Sequence, residues 1–280
     1  MTQALMLKNR GLLRLTGTEC RPFLQGLITT DMKNLTPDTP IYAGFLTPQG
    51  KYLFDFILFE TETCLYLDCE LERAEQLCQR LTMFKLRADV TIENLSDQMR
   101  IWVIWGDGDL PYPTFTDPRH WKMGRRAIVT KGINLTLPED DTAPACTPLK
   151  LEEYEVERIS LGIPDGSRDM KVDKYFWLEC RAEAIGGVNF DKGCYIGQEQ
   201  TARMKHRTTL KKSLIPVKFT TDTALPALTE GAEIKTTDGK NAGEIRTTAR
   251  DMAMAYLRLA QLDKDLICDG YTITPLEQAP

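Results

Sequence analysis

Histidine is almost missing from this chain: His120 and His206 are the only two in 280 residues. Eight cysteines are present, at 20, 64, 69, 78, 146, 180, 194 and 268, yet no two form a C-x-x-C pair. A zinc site of familiar ligand spacing is therefore excluded, and no complete four-thiolate iron–sulfur site is written in the chain. No apolar run approaches the ~18 residues of a membrane-spanning helix. The N-terminal MTQALMLKNRGLL lacks the apolar stretch and small-residue cleavage site of a secretory leader. A soluble cytoplasmic protein without membrane contact is the expectation. No G-x-x-x-x-G-K-[ST] loop, G-x-G-x-x-G fingerprint or G-x-S-x-G elbow occurs, so nucleotide hydrolysis, dinucleotide binding and α/β-hydrolase chemistry are not indicated. Positive charge is also short: the net charge of −5 gives no overall drive toward phosphate, and strong direct nucleic-acid binding is not expected.

What is present is ordinary globular composition, 42% hydrophobic and 27% charged, long enough for two or three domains without disulfide staples. Most of the thiols read as small buried hydrophobes. GLLRLTG predicts a strand, followed by a helix capped by Thr18, with Pro22 in its first turn and Phe23, Leu24, Leu27 and Ile28 on its apolar face. IYAGFLTPQGKYLFDFILFE predicts a hairpin that turns at Thr47-Pro48-Gln49-Gly50, and TCLYLDCE another strand. The spacing of Ala74, Leu77, Cys78 and Leu81 predicts a helix over 71–84, with strands near 89–93 and 99–105. This alternation implies an α+β region with mainly antiparallel pairing. Residues 106–118 read as a loop and 138–148 as a proline-bearing linker, with a helix from Leu151. Its stripe of Leu151, Tyr154, Arg158 and Leu161 contains an arginine that either pairs locally or contacts a buried anion. From Leu214 onward, short strand-like runs and turn signals such as Thr237-Asp238-Gly239-Lys240 predict a small β-barrel or sandwich.

Two places invite chemistry. Asp55 lies in FDFILF, where alternation puts Asp55 and Ile57 on one face and Phe54, Phe56 and Leu58 on the other. A carboxylate there must find a partner or change its pKa, as a structural hydrogen-bond acceptor or as a functional acid. The second is GGVNFDKGCYIGQEQTARMKH, with four glycines in the twelve residues from Gly186 to Gly197. Either this is a tight structural turn, or Lys192 and a helix starting just after Cys194 activate an accessible thiolate. Arg203, Lys205, Arg207, Lys211 and Lys212 form a basic run, either a solvated face or a polyanion contact.

KGCYIGQE at 192–199 is similar to the signature K-G-C-Y-x-G-Q-E of the YgfZ family of folate-binding proteins, which resemble the aminomethyltransferase (T-protein) of the glycine cleavage system. LTGTECRPFLQGLITTD with FLTPQGKYLFDF resembles the family's N-terminal pattern, and GAEIKTTDGKNAGEI with MAYLRL its terminal barrel; 60–146 matches only loosely. The resemblance implies ferredoxin-like modules around a central tetrahydrofolate pocket (residues 1–212, in two subdomains) and a C-terminal β-barrel (213–280). It implies an accessory protein in the assembly or repair of iron–sulfur enzymes, tRNA-modifying ones included. Tetrahydrofolate or a one-carbon derivative would be the cofactor, and iron–sulfur assembly or client proteins the partners of a monomer. Cys194 would be the key thiol, free to ligate a cluster shared with a partner. Glu179, Lys192, Tyr195, Gln198, Glu199 and Arg203 would line the cofactor site, and Asp55 with Cys194 would do any catalysis. Three positions depart from the pattern. Trp177 stands where a proline precedes Glu179, Thr208 where a glycine follows the basic pair, and Phe54 where T-proteins carry the first of two acids. Phenylalanine cannot act as acid, base or ammonium partner, which weighs against a folate-dependent one-carbon transferase. The acidic balance weighs against the other rival, a direct RNA-binding tRNA-modification factor.

Overall fold

The structure is a computed structural model and describes residues 1–136, 146–221 and 227–276. A first five-stranded antiparallel sheet has the order Ile41–Leu46, Tyr52–Glu60, Leu65–Glu70, Arg10–Thr16, Thr91–Asn94. Phe54, Phe56 and Leu58 pack on one face with Leu24 of the Cys20–Gln25 helix and with Leu77 and Leu81 of the Ala74–Lys85 helix. Ile57 faces the other way, as alternation requires. A register shift between Phe45 and Leu46 then breaks the alternation: Phe45 pairs with Phe54, but Leu46 pairs with Tyr52. The bulge turns Tyr52 onto the side of Asp55. Thr18 does not cap the helix as expected; its N–H and hydroxyl both donate to the Asp89 carboxylate, and Glu19 precedes the helix without a side-chain cap.

The second sheet has the order Thr147–Pro148, Gln3–Met6, Met99–Trp105, Arg125–Thr130, Thr114–Thr116, with its one parallel pairing between the first two. Two expectations change here. The loop read over 106–118 contains the Thr114–Thr116 strand, and the linker read over 138–148 ends in a strand at Thr147–Pro148. Of that linker, 138–145 lie outside the described residues. Ile57 of the first sheet and Ile101, Val103 and Ile128 of the second share one core with Tyr154 and Trp177.

Six strands close the barrel in the order Lys212–Thr220, Met252–Arg258, Asn241–Ala249, Glu233–Thr236, Leu266–Cys268, Tyr271–Pro275. Closure leaves no strand edge unpaired, and Val217, Ile234, Ile245, Leu257 and Ile273 fill the interior. The barrel docks through a buried polar contact with the Leu151–Ser160 helix. Arg158 donates to Glu155 at 2.8 Å, to Asp169 at 2.7 Å and to the Thr247 hydroxyl of the barrel at 2.9 Å. Local pairing is thus the answer for Arg158. The apolar stripe does not hold as read, because Leu151 is 57% exposed while Glu155 and Ile159 are buried beside Arg158.

Candidate functional site: the Cys194 loop and the core beneath it

Residues 191–197 form an irregular loop that leads into the Gln198–Arg207 helix. Lys192 is buried, and its ammonium donates to the carbonyl oxygens of Gln25 at 2.9 Å, Ile28 at 2.6 Å and Thr30 at 3.0 Å. All three of its protons are therefore used on the backbone after the first helix. Burial pushes its pKa down to about 8. Tyr195 is buried with its ring 5.1 Å from the same ammonium, and burial raises its phenol. Gly197 caps the helix at φ 86°; a Cβ there would lie 2.7 Å from the Thr47 carbonyl and 3.1 Å from Gly50 Cα. The motif is thus pinned at one end by the lysine and at the other by close approach to the hairpin turn. Between these anchors Cys194 is exposed, the only one of the eight free cysteines in that state.

This arrangement differs from the sequence expectation in two respects. The helix begins at Gln198, four residues beyond Cys194 rather than directly after it. Lys192, expected at a cofactor, is the clamp that holds the loop down. Gln198 is half-buried, while Glu199 and Arg203 are exposed. The basic run is spread over a solvated helix face and the strand after it: Lys205 pairs with Glu183, and Lys212 lies over the Tyr256 ring at 5.3 Å. Thr208 has φ −134° and ψ 130°, extended backbone that does not call for glycine.

Asp55 and Glu179 are both buried, at 3% and 8% exposure. The two oxygens of Asp55 accept from Tyr42 Oη at 3.0 Å and Tyr52 Oη at 2.8 Å. Burial raises its pKa, although Arg10 and both tyrosines work in the opposite direction. The indole of Trp177 lies over both tyrosines, with ring centroids 5.9 and 6.1 Å away. It fits because Gly44 and Gly187 carry no side chain: a Cβ at either would meet its ring at 2.8 or 3.1 Å. Trp177 also supplies what the expected proline could not, an N–H that donates to the Gly50 carbonyl at 3.2 Å. Glu179 Oε2 accepts from the Phe176 N–H at 3.0 Å and from Tyr256 Oη at 2.8 Å. Its Oε1 has no hydrogen-bond partner among the described residues.

The sequence reading missed the buried charge chain beside Asp55. Arg10 reaches Asp68 at 2.7 Å, Arg126 bridges Asp68 and Asp117 at 3.1 Å each, and Arg119 holds Asp117 at 2.7 Å. Arg119 also lies over the Tyr42 ring at 5.5 Å. The available signal was a lone Asp68 in the apolar LYLDC strand and Arg126 in RRAIV.

A fit test for a folate between Asp55 and Glu179 therefore splits. Glu179 keeps an oxygen able to accept from a ligand, whereas Asp55 is fully engaged under aromatic rings and reaches none. Among the described residues no three His, Cys, Asp or Glu side chains converge as a metal site.

The family model described as CAF17, C-terminal beta-barrel domain, matches residues 211–279. The solved glycine cleavage system aminomethyltransferase T from Bartonella henselae superposes with a TM-score of 0.76 over all of this chain and 86% of that one. At 13% identity this likeness shows the fold alone, which is the α+β T-protein-like architecture with its terminal barrel. The human iron–sulfur cluster assembly factor IBA57 is 30% identical over 90% of this chain and 76% of its own length. The Mus musculus protein is 31% identical over the same shares, and the Coccidioides immitis homologue 27% identical over 97% and 75%. All three are named mitochondrial, which overturns the cytoplasmic location expected from the sequence. The YgfZ resemblance was to a related family: on these matches the chain belongs to the family of the iron–sulfur cluster assembly factor IBA57.

Proposed function

We propose that this chain assists iron–sulfur cluster assembly by offering Cys194 as a ligand to a cluster that a partner protein completes. The observation that carries the reading is the anchored, exposed thiol: Lys192 and Gly197 fix the loop on either side, and Cys194 is exposed where the other cysteines are buried or half-buried. The names of the mitochondrial relatives support the same role. One thiolate leaves most of a four-ligand shell unfilled, so the remaining ligands come from the partner or a small thiol. The cluster is cargo here, and the isolated chain is expected to be colourless. Cys194→Ala is expected to keep the fold and to lose support of iron–sulfur enzymes in cells that lack the chain. The client enzymes, which the resemblance extends to tRNA-modifying ones, are identified by which activities fail. Full restoration of those enzymes by Cys194→Ala would make the thiol structural and end the proposal.

Folate binding is a second reading, favoured by the free Oε1 of Glu179. It involves no role for Asp55, whose seal also leaves one-carbon transfer without its acid. Calorimetric titration with tetrahydrofolate tests it. Saturable binding that weakens in Glu179→Gln by about 1.5–3 kcal/mol, the worth of a charge-assisted bond, supports it. Equal affinity in both proteins, or none in either, removes Glu179 from any folate site.

A further inference from the structure

The buried arginines of this chain all meet carboxylates: Arg10 with Asp68, Arg119 with Asp117, Arg126 with both, Arg158 with Glu155 and Asp169, Arg246 with Glu230. Arg181 does not. It is partly buried, makes no ion pair or side-chain hydrogen bond with any described residue, and its Nε is shut away from water without an acceptor. Burial alone lowers its pKa, to about 10. Its backbone is left-handed, at φ 65° and ψ 18°, a conformation that a side chain other than glycine or asparagine adopts at a cost.

The residue stands at the wall of a cleft of about 400 Å³ between the 177–180 turn and the Gln198–Arg207 helix. Leu178, Ala184, Met204 and Leu210 give the cleft apolar walls. The other two charges in it, Glu183 and Lys205, pair with each other, so the unbalanced charge is the single positive one of Arg181. A guanidinium whose Nε is shut away from water without a counter-charge loses part of its hydration and gains nothing in return, unless something anionic enters. The volume is in the range of small-ligand sites, which join apolar walls to a few polar groups.

We propose that this cleft binds a small organic anion, an apolar body bearing a carboxylate, sulfonate or phosphate, whose charged group pairs with Arg181. The guanidinium offers two parallel N–H donors to such a group. Neither Cys194 nor Glu179 lines the cleft, and the proposal stands whether or not the proposed function holds.

The test uses the native full-length chain and 8-anilinonaphthalene-1-sulfonate as the probe. Fluorescence titration is expected to give one saturable site. Arg181→Met is expected to weaken it at least tenfold, and Arg181→Lys to keep most of the affinity. Ala184→Trp, which fills the cleft and leaves Arg181 in place, is expected to abolish it. Inorganic phosphate is expected to compete only weakly, and the uncharged N-phenyl-1-naphthylamine to bind wild type and Arg181→Met alike. Because the unpaired cation opposes folding, Arg181→Met is also expected to melt at a higher temperature than wild type. Absence of probe binding to wild type overturns the proposal, as does unchanged affinity in Arg181→Met. A lowered melting temperature in Arg181→Met makes the arginine a structural residue and overturns it equally.

Discussion

The glycines that flank Cys194 make opposite demands, and replacing each by alanine separates anchoring from presentation. Gly197 has φ 86°, where an L-residue costs roughly 1–2 kcal/mol. An added Cβ would also sit 2.7 Å from the Thr47 carbonyl oxygen and 3.1 Å from Gly50 Cα. Both are backbone atoms of a hairpin turn closed by the Gly50 N–H to Thr47 O bond of 2.9 Å, so neither gives way as a side chain would. Such overpacking adds about 1–3 kcal/mol. Lost freedom of the unfolded chain returns about 0.4–1 kcal/mol. The net expectation for Gly197→Ala is a loss of about 1–4.6 kcal/mol. At Gly193 an added Cβ meets nothing within 4 Å and φ is not positive, so Gly193→Ala is expected within about 0.5 kcal/mol of wild type. In urea, with a slope of ~3 kcal/mol per molar, the Gly197→Ala midpoint falls by about 0.3–1.5 M and that of Gly193→Ala stays in place. Equal midpoints for the two variants would refute the claim that the helix start is wedged against the hairpin. Gly193→Ala then becomes a clean functional probe. Loss of iron–sulfur enzyme support in that folded variant would mean that a partner approaches the backbone beside the thiol.

Lys192→Met leaves the carbonyls of Gln25, Ile28 and Thr30 without their donor, and a loss of about 2–3 kcal/mol is expected in the same urea assay; an unchanged midpoint would show that the ammonium does not clamp the loop. Alkylation with iodoacetamide at neutral pH, followed by peptide mapping, is expected to mark Cys194 first. Burial raises the thiols of Cys20, Cys69, Cys78, Cys146 and Cys180, and pushes that of Cys268 up to about 11, so that only about one Cys268 in 10⁴ is thiolate at pH 7; earlier labelling of any other cysteine contradicts this ranking. Asp117 and Asp165 are held well below the usual carboxylate range by Arg119 and Arg126 and by Arg158 and Arg168 respectively. Because the unfolded chain takes up their protons at higher pH than the folded one, stability is full above ~4 and falls as the pH drops below it. Asp117→Asn is expected to flatten that acid slope in thermal melts between pH ~5 and ~2, and an unaltered slope would remove Asp117 from it.

Apolar β-rich runs and turn signals made the strands legible even where burial is two-sided. Ile101 to Ile104 are all buried in the Met99–Trp105 strand, and the hairpin around Thr47–Gly50 follows from two such runs and the turn chemistry between them. Reading failed where a polar partner lies far away in sequence. Thr18 has the right chemistry for a helix cap, but Asp89, about seventy residues on, takes both of its donors. The buried face of the Leu151–Ser160 helix carries Arg158 because Glu155, Asp169 and Thr247 meet it there, so an apolar stripe that included Leu151 was the wrong reading. The motif cysteine was legible from its glycines, but the task of Lys192 was not. A lysine beside a cysteine suggests thiolate activation, and only the three carbonyls of residues 25–30 reveal a clamp. Arg181 left no signal in the sequence, since an arginine without a partner is indistinguishable there from one on the surface.

The placement of the two sequence-nominated reactive groups bears directly on mechanism. Alternation put Asp55 on the inner face of its strand, and the bulge after it in the pairing brought Tyr52 around to join Tyr42 on the same carboxylate. Trp177 then closes over both rings, in room that Gly44 and Gly187 leave. A carboxylate enclosed in this way stabilises the core as a hydrogen-bond acceptor, but it cannot exchange protons with a substrate unless the indole moves. Cys194 is the reverse case, its loop fixed at both ends with the sulfur outward. Catalysis requires reacting groups to converge on one substrate, and here the acid faces inward while the thiol faces solvent. A scaffold shared with an aminomethyltransferase shows the fold and does not by itself carry over that enzyme's chemistry. On the proposed function, Cys194 meets another molecule at the surface, and the partner brings the ligands that a single thiolate lacks.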